Sequence, residues 1–142
     1  VAQGALPTDM IAKFIKQADR HQFDDRKATQ EERQWLEEFI RPNAKVLDQA
    51  LADIKVCDPA VGSGAFPVGM MSEIVNARLA LSRFLPDDKQ NRTEYHFKRH
   101  CIQNSLYGVD IKEEAIEIAK LRLWLSLVVD EDEIQEIKPL PN

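Results

Sequence analysis

A short apolar run that passes straight into a turn of small residues constrains the fold of this chain more than any other feature. The run is Ile54–Cys57, the turn is Asp58–Ala65, and apolar residues then recur at helical spacing over 66–84. The turn opens with Asp-Pro, and because proline cannot donate to a β-ladder, the strand should end there. The segment therefore predicts a strand, a tight turn and a long helix.

A second unit of the same kind follows later in the chain. Residues 105–110 predict a strand that ends in Asp110, and 113–129 predict a long, almost wholly apolar helix. The polar residues 85–104 between the units predict a surface loop followed by a short helix or turn, and the acidic residues 130–142 predict no further strand. Two successive strand–helix units favour parallel neighbours joined by a right-handed crossover, which predicts an α/β fold.

The first third of the chain predicts helices. Thr29, with Glu32 three residues later, has the pattern of a capping box, and a polar break at 21–27 precedes it. Pro42 is expected to end the helix that Thr29 opens, and Asn43 to cap the next one. Three sets of apolar residues recur at helical spacing: Ile11, Phe14, Ile15 and Ala18; Trp35, Leu36, Phe39 and Ile40; Leu47, Ala50 and Leu51.

Composition excludes several classes of protein. Only five glycines and seven prolines exclude collagen-like and low-complexity chains, and the longest uncharged apolar stretch is much too short to cross a membrane. Two cysteines cannot build a disulfide framework, and no secretory signal is recognisable, so we expect a cytoplasmic protein. The net charge of −5 makes the chain alone a poor candidate for gripping duplex DNA through its phosphates.

The ends of the two predicted strands carry the residues best suited to chemistry. Ligands of parallel α/β sheets bind at the carboxyl ends of the strands, where Asp58, Gly62, Gly64 and Asp110 fall. Glycines let a backbone approach a ligand closely, and an acid at the end of the second strand can accept hydrogen bonds from a ribose diol. A carboxylate before the turn would repel a pyrophosphate, and suits a cofactor with a cationic amino-acid end, such as S-adenosylmethionine. The third glycine of the dinucleotide fingerprint and the P-loop lysine are both absent.

Two sequence motifs resemble those of adenine-specific DNA methyltransferases of the restriction–modification and phage-defence type. Asp58–Phe66 reads D-P-A-V-G-S-G-A-F and resembles the family's first motif, D-P-A-x-G-S-G-A-F. Tyr107–Ile111 and Glu114–Leu125 resemble its second motif region. The resemblance implies a partial Rossmann-like S-adenosylmethionine-dependent methyltransferase sheet, which begins within 53–142 and is preceded by an N-terminal helical segment at 1–52.

The resemblance also implies roles for residues of the first motif. Asp58 would organise the turn, or reach the methionine ammonium group through water. The backbone at Ala60, Gly62 and Gly64 would cradle the cofactor, and Phe66 would shape the pocket wall near the methyl donor.

In the second motif region, Asp110 would hold the ribose hydroxyls and Ile111 would pack on the adenine. No metal site is predicted, because His96, His100 and Cys101 have no further histidine or cysteine pair nearby. Three other side chains are assigned to the core: Trp35, Trp124 and Cys57, the last as an inert thiol.

The family's catalytic element, N-P-P-Y or D-P-P-Y, does not occur in this sequence. We therefore expect no catalytic residue in the chain, and interpret it as the N-terminal, cofactor-side part of a larger enzyme that methylates the exocyclic amine of adenine in DNA. DNA would be bound through that enzyme and not tightly by this chain, which we expect to self-associate. The alternatives are a methyltransferase acting on protein or RNA, and a non-catalytic binding module with a degenerate pocket.

Overall fold

A computed structural model of the chain describes residues 8–21 and 26–129. Of the polar break predicted at 21–27, residues 22–25 lie outside these ranges, as does the acidic tail at 130–142. The described residues form six α-helices and two β-strands: α1 (Thr8–His21), α2 (Gln30–Trp35), α3 (Ala44–Asp53), β1 (Val56–Asp58), α4 (Ala65–Leu81), α5 (Glu94–Asn104), β2 (Leu106–Gly108) and α6 (Glu113–Val128). A π-helical turn (Leu36–Ile40) and 3-10 segments (Arg41–Asn43, Ser82–Phe84, Pro86–Asn91) complete the helical structure.

The two strands pair in parallel, as the succession of strand–helix units predicted. Val56 lies opposite Leu106 and Asp58 opposite Gly108. The described part of the chain is thus mixed α and β, with many helices around a two-stranded parallel sheet. Both long helices that follow the strands are confirmed, and the segment expected to be a loop and a short helix contains α5.

Helix α4 lies at the centre of the packing. It contacts α1, α3, α5, α6 and both strands. Its inward side chains, among them Met71 and Val75, are almost fully buried. The core they form includes side chains from the N-terminal helices as well: Phe14, Leu36, Ile40, Leu47 and Leu51. The division of the chain at residues 52 and 53 stays a prediction.

A buried ion network joins α3, α4 and the segment before α5. Asp48 accepts hydrogen bonds from Arg78 Nε at 3.0 Å and from Arg92 Nη2 at 2.9 Å. Both guanidinium groups also lie over the ring of Phe97, 4.3 and 4.9 Å from its centroid. Because the Asp48 carboxylate is shared, one negative charge compensates two buried positive charges.

The N-terminal helices differ from expectation in detail. The capping box is confirmed, since Thr29 and Glu32 exchange both of its hydrogen bonds. Pro42 does not end the helical path, because a 3-10 segment carries the chain directly into α3. Asn43 does not cap α3 either: its side-chain amide donates to the carbonyl of Phe39 at 2.7 Å. Phe39 itself is exposed, because the wider π-helical turn moves it off the buried stripe.

Three expectations concerned single core side chains. Trp35 is partly buried against the core, as predicted, whereas Trp124 is partly buried but is not among the side chains that pack on this core. The expectation for Cys57 was wrong, because this thiol is exposed. Successive side chains of a strand point to opposite faces of a sheet, and only the face that carries Val56 and Leu106 packs on the helical core.

Candidate functional site

The turn between β1 and α4 is held by hydrogen bonds within itself. Asp58 Oδ1 accepts from the Ala60 amide at 3.0 Å, and the Gly64 amide donates to the Val61 carbonyl at 2.9 Å. Asp58 therefore organises the turn in this structure. Gly64 has a left-handed backbone, with φ of 80°, and stands at the N-cap of α4 without a side-chain cap. The positive end of the helix dipole is thereby directed at the turn.

The same turn is tied to the end of β2. The Val109 amide donates to the Asp58 carbonyl at 3.0 Å, and the Val61 amide donates to the Val109 carbonyl at 2.9 Å. These bonds continue the pairing of the strands beyond Asp58 and Gly108, where the sheet proper ends. The carboxyl ends of the two strands therefore meet, as the parallel arrangement predicted.

Asp110 connects the two loops through its side chain. Its Oδ2 accepts from the Gly62 amide at 3.0 Å, and its Oδ1 accepts from the Lys112 amide at 2.9 Å. The hydrogen bonds from the backbone amides of Lys112 and Gly62 hold the pKa of Asp110 below its ordinary value. At neutral pH the group is therefore a carboxylate, and each oxygen keeps a lone pair beyond the amide that it already binds.

The two glycines of the turn serve different purposes. A Cβ at Gly64 would lie 3.0 Å from Ala119 Cβ and 3.1 Å from Ala119 Cα, so α6 would have to move by a few tenths of an ångström to admit a side chain. A Cβ at Gly62 would meet nothing nearer than the Ala60 carbonyl oxygen at 4.0 Å. Space is thus free beside Gly62 where a side chain would otherwise stand, and its φ of 51° is left-handed.

Two apolar side chains beside the turn are exposed. Phe66, in the first turn of α4, is 54% exposed, and Ile111, next to Asp110, is fully exposed. All seven residues predicted from the sequence therefore lie at the end of β1, on the turn after it, in the first turn of α4 or in the loop after β2: Asp58, Ala60, Gly62, Gly64, Phe66, Asp110 and Ile111.

Three residues that support this arrangement were not predicted from the sequence: Val61, Gly108 and Ala119. A Cβ at Gly108 would lie 2.8 Å from Val61 Cγ2, so Gly108 makes room for the buried Val61. Ala119 lies against Gly64 from α6. The signal for Gly108 was a glycine within a predicted strand, which often marks a close approach of another backbone. No comparable signal identifies Ala119, because alanine is common in any helix.

A cavity of about 360 Å³ adjoins the turn, although none of the seven predicted residues lines it. It is lined by β2, the end of α5 and one side of α6, including Gln103, Lys120 and Leu123. Its lining also includes Val61 of the turn, Pro67 in the first turn of α4, and Gly108 and Ala119.

Neither a metal site nor a membrane span is found in the described ranges. Residues 8–21 and 26–129 contain no group of three or more histidine, cysteine, aspartate or glutamate side chains placed to hold a metal ion. No helix within those ranges has the length and apolar character needed to cross a bilayer.

Comparison with known families decides the assignment. The model of the MmeI DNA-methyltransferase domain matches residues 27–139, most of the chain. This chain belongs to the MmeI DNA-methyltransferase domain family. The match includes β1, β2, the turn and α6, and it makes the chain a methyltransferase domain sequence of the restriction–modification type.

Two curated proteins are similar to this member of the family. A protein of Methanocaldococcus jannaschii named as a type II restriction enzyme and methyltransferase is 35% identical over 106 residues, which are 68% of this chain and 9% of that protein. The adenine-specific methyltransferase PglX of Streptomyces coelicolor is 29% identical over 96 residues, 66% of this chain and 7% of PglX. The chain thus spans less than a tenth of the length of either relative. No solved structure matches it significantly.

Proposed function

We propose that this chain binds S-adenosylmethionine at the turn between β1 and α4, as the cofactor-binding part of a Rossmann-like enzyme that methylates adenine in DNA. One observation carries the proposal: the Asp110 carboxylate joins the end of the second strand to the Gly62 amide in the turn. The name of the Streptomyces relative supports adenine as the methylated base. The name of the Methanocaldococcus relative supports a restriction–modification role.

The residues of the turn fit this cofactor. The open backbone at Gly62 leaves room for the ligand, and the Asp110 oxygens have lone pairs available for two ribose hydroxyls. Ile111 offers an exposed apolar surface to the adenine ring, and Phe66 offers one beside the methyl donor. Asp58 supplies a negative charge for the cationic end of the cofactor. When bound, S-adenosylmethionine supplies an electrophilic methyl group.

In our proposal, the residues of this chain contact the cofactor and not the DNA. They bind and orient S-adenosylmethionine, and none of them is assigned a catalytic step, because the sequence lacks the N-P-P-Y or D-P-P-Y element. An enzyme that methylates a base in duplex DNA must take the base out of the stack, which requires aromatic and polar groups around the flipped adenine. We propose that DNA contacts arise through such groups rather than through this acidic chain.

The proposal is tested by calorimetric titration of the chain with S-adenosylmethionine and with its demethylated product. Asp110→Asn replaces one carboxylate oxygen by an amide nitrogen, which cannot accept a hydrogen bond from a ribose hydroxyl. Because hydrogen bonds to charged groups contribute strongly, the affinity should fall about tenfold or more.

Glu114→Gln is the matched control. It removes one negative charge at an exposed position in the first turn of α6, so the affinity should stay within about twofold. Equal losses in both variants would contradict a specific role for Asp110. The proposed function would be contradicted if the folded wild-type chain showed no binding at millimolar ligand.

A further inference from the structure

Helix α6 packs directly on the proposed cofactor turn. Ala119 is 6% exposed, and its Cβ and Cα would lie only 3.0 and 3.1 Å from a Cβ at Gly64. One helical turn further on, Arg122 Nη1 lies 3.4 Å from both the carbonyl oxygen and the hydroxyl of Ser63. Residues three apart share a helix face, so one face of α6 meets two consecutive residues of the turn.

We infer that Ala119 is a positioning residue for the cofactor: its small size sets how closely α6 approaches Gly64, and thereby where the Gly62 amide and Asp110 stand. This inference rests on the proposed function of the turn. Ala119 need not contact the ligand itself, since it is buried on the side of Gly64 that faces α6.

The path from Ala119 to the ligand site consists of contacts already described. Gly64 donates its amide to the Val61 carbonyl at 2.9 Å, and Val61 donates in turn to Val109, the residue before Asp110. Gly62 lies between Val61 and Gly64 and donates to Asp110 at 3.0 Å. A displacement of Gly64 is therefore expected to lengthen or break the bond between Gly62 and Asp110.

Ala119→Val is the decisive variant. A longer side chain could bend into the neighbouring cavity of about 360 Å³, which Ala119 also lines. Valine cannot do so as easily, because both methyl groups are on Cβ and one rotamer dominates in a helix. We expect the affinity for S-adenosylmethionine to fall about tenfold, the size expected from overpacking of a close contact.

Two further variants separate positioning from general destabilisation. Ala77→Val introduces the same side chain at a fully buried site on α4, about 18 Å along the helix axis from Ala65, and should leave the affinity within about twofold. Leu127→Val shortens a buried side chain about 12 Å along α6 from Ala119, so it should lower the melting temperature while the affinity stays within about twofold.

Amide hydrogen exchange at Gly62, followed by NMR without ligand, gives a second readout. Exchange should accelerate in Ala119→Val and remain unchanged in Ala77→Val. If Ala119→Val leaves both the Gly62 exchange and the affinity unchanged, or if Ala77→Val alters them equally, the inference is overturned. If the wild-type chain binds no cofactor, the proposed function fails, and the exchange at Gly62 still decides whether Ala119 positions the turn.

Discussion

At Gly64, backbone conformation and packing both disfavour a side chain. Its φ of 80° is unfavourable for any residue with a Cβ, and Ala119 occupies the space that a Cβ would need. Gly69, in the second turn of α4, has room for a side chain, because a Cβ added there would meet nothing within 4 Å.

The two glycines should therefore respond with opposite signs to alanine. Gly64→Ala should destabilise the chain by about 2 to 4 kcal/mol, from the left-handed backbone and the overpacked contact together. Gly69→Ala should stabilise it by about 0.5 to 1 kcal/mol, because it removes a flexible residue from a helix interior. Urea unfolding of both variants measures the free energies. Equal effects would mean that the close approach of α6 does not constrain the turn.

Single residues show what the sequence could and could not predict. Asp110 was proposed because it ends the strand predicted at 105–110; in the structure β2 ends at Gly108, and the Asp110 carboxylate binds the Gly62 and Lys112 amides. Such a bridge depends on two loops meeting, which local sequence does not specify. Cys57 was assigned to the core because it lies within an apolar run, but alternation along the strand places it on the face opposite Val56.

At the scale of the elements, Asp48 of α3 binds α4 and the segment before α5 through hydrogen bonds to Arg78 and Arg92. Burial alone would raise the pKa of this carboxyl, but the hydrogen bonds from Arg92 and Arg78 outweigh it and hold the pKa below its ordinary value of 3.8. The two arginine side chains are 5% and 11% exposed. Loss of the carboxylate would thus leave two nearly buried cations without compensation.

We expect Asp48→Asn to lower the free energy of unfolding by about 2 to 4 kcal/mol at pH 7. In the wild-type chain this contribution should be complete above the ordinary pKa of 3.8 and disappear as the pH falls through the lowered value. Asp48→Asn should lack that acid-dependent loss. Urea unfolding between pH 7 and 3 measures both effects.

Glu37→Gln is the control for this prediction. Glu37 and Arg41 form an ion pair in which both side chains are about half exposed. Solvent screens such a pair, so its loss should have much less effect than the loss of Asp48. A stability unchanged by Asp48→Asn would refute the idea that the network joins these helices.

The types of most elements could be predicted from the sequence, but their junctions could not. Periodicity indicated α1, α3, α4 and α6, and the Asp-Pro turn indicated where β1 ends. The junctions depend on tertiary packing: the chain runs past Pro42 through a π-helical turn and a 3-10 segment into α3. The helix α5 was obscured by its polar and charged residues, although Phe97 and Cys101 are buried on one side of it.

For the whole molecule, the main feature is an apolar surface on α6. Ile118, Leu121 and Leu125 recur at helical spacing and are each about half exposed. The sheet face opposite the helical core also exposes Tyr107 and Cys57. Extended apolar surfaces of this kind favour association.

Self-association of the chain therefore stays a prediction. Substitutions on the exposed face of α6 can test it. Light scattering at micromolar concentration should show a mass above that of one chain. Leu121→Lys combined with Leu125→Lys should shift the chain towards the monomer. Glu117→Lys gives the same change in net charge on the same helix without removing apolar surface, and should leave the mass unchanged. A monomeric wild-type chain would contradict the prediction.

The central claim is that the turn between β1 and α4 holds S-adenosylmethionine, and an NMR titration of the backbone amides with that cofactor tests it most directly. The account predicts saturable shifts that are largest at Gly62, Gly64, Asp110 and Ile111, while the amides around Asp48 stay unchanged. Shifts concentrated instead at Gln103, Lys120 and Leu123, which line the far side of the neighbouring cavity, or no shifts at millimolar ligand with a folded chain, would contradict it.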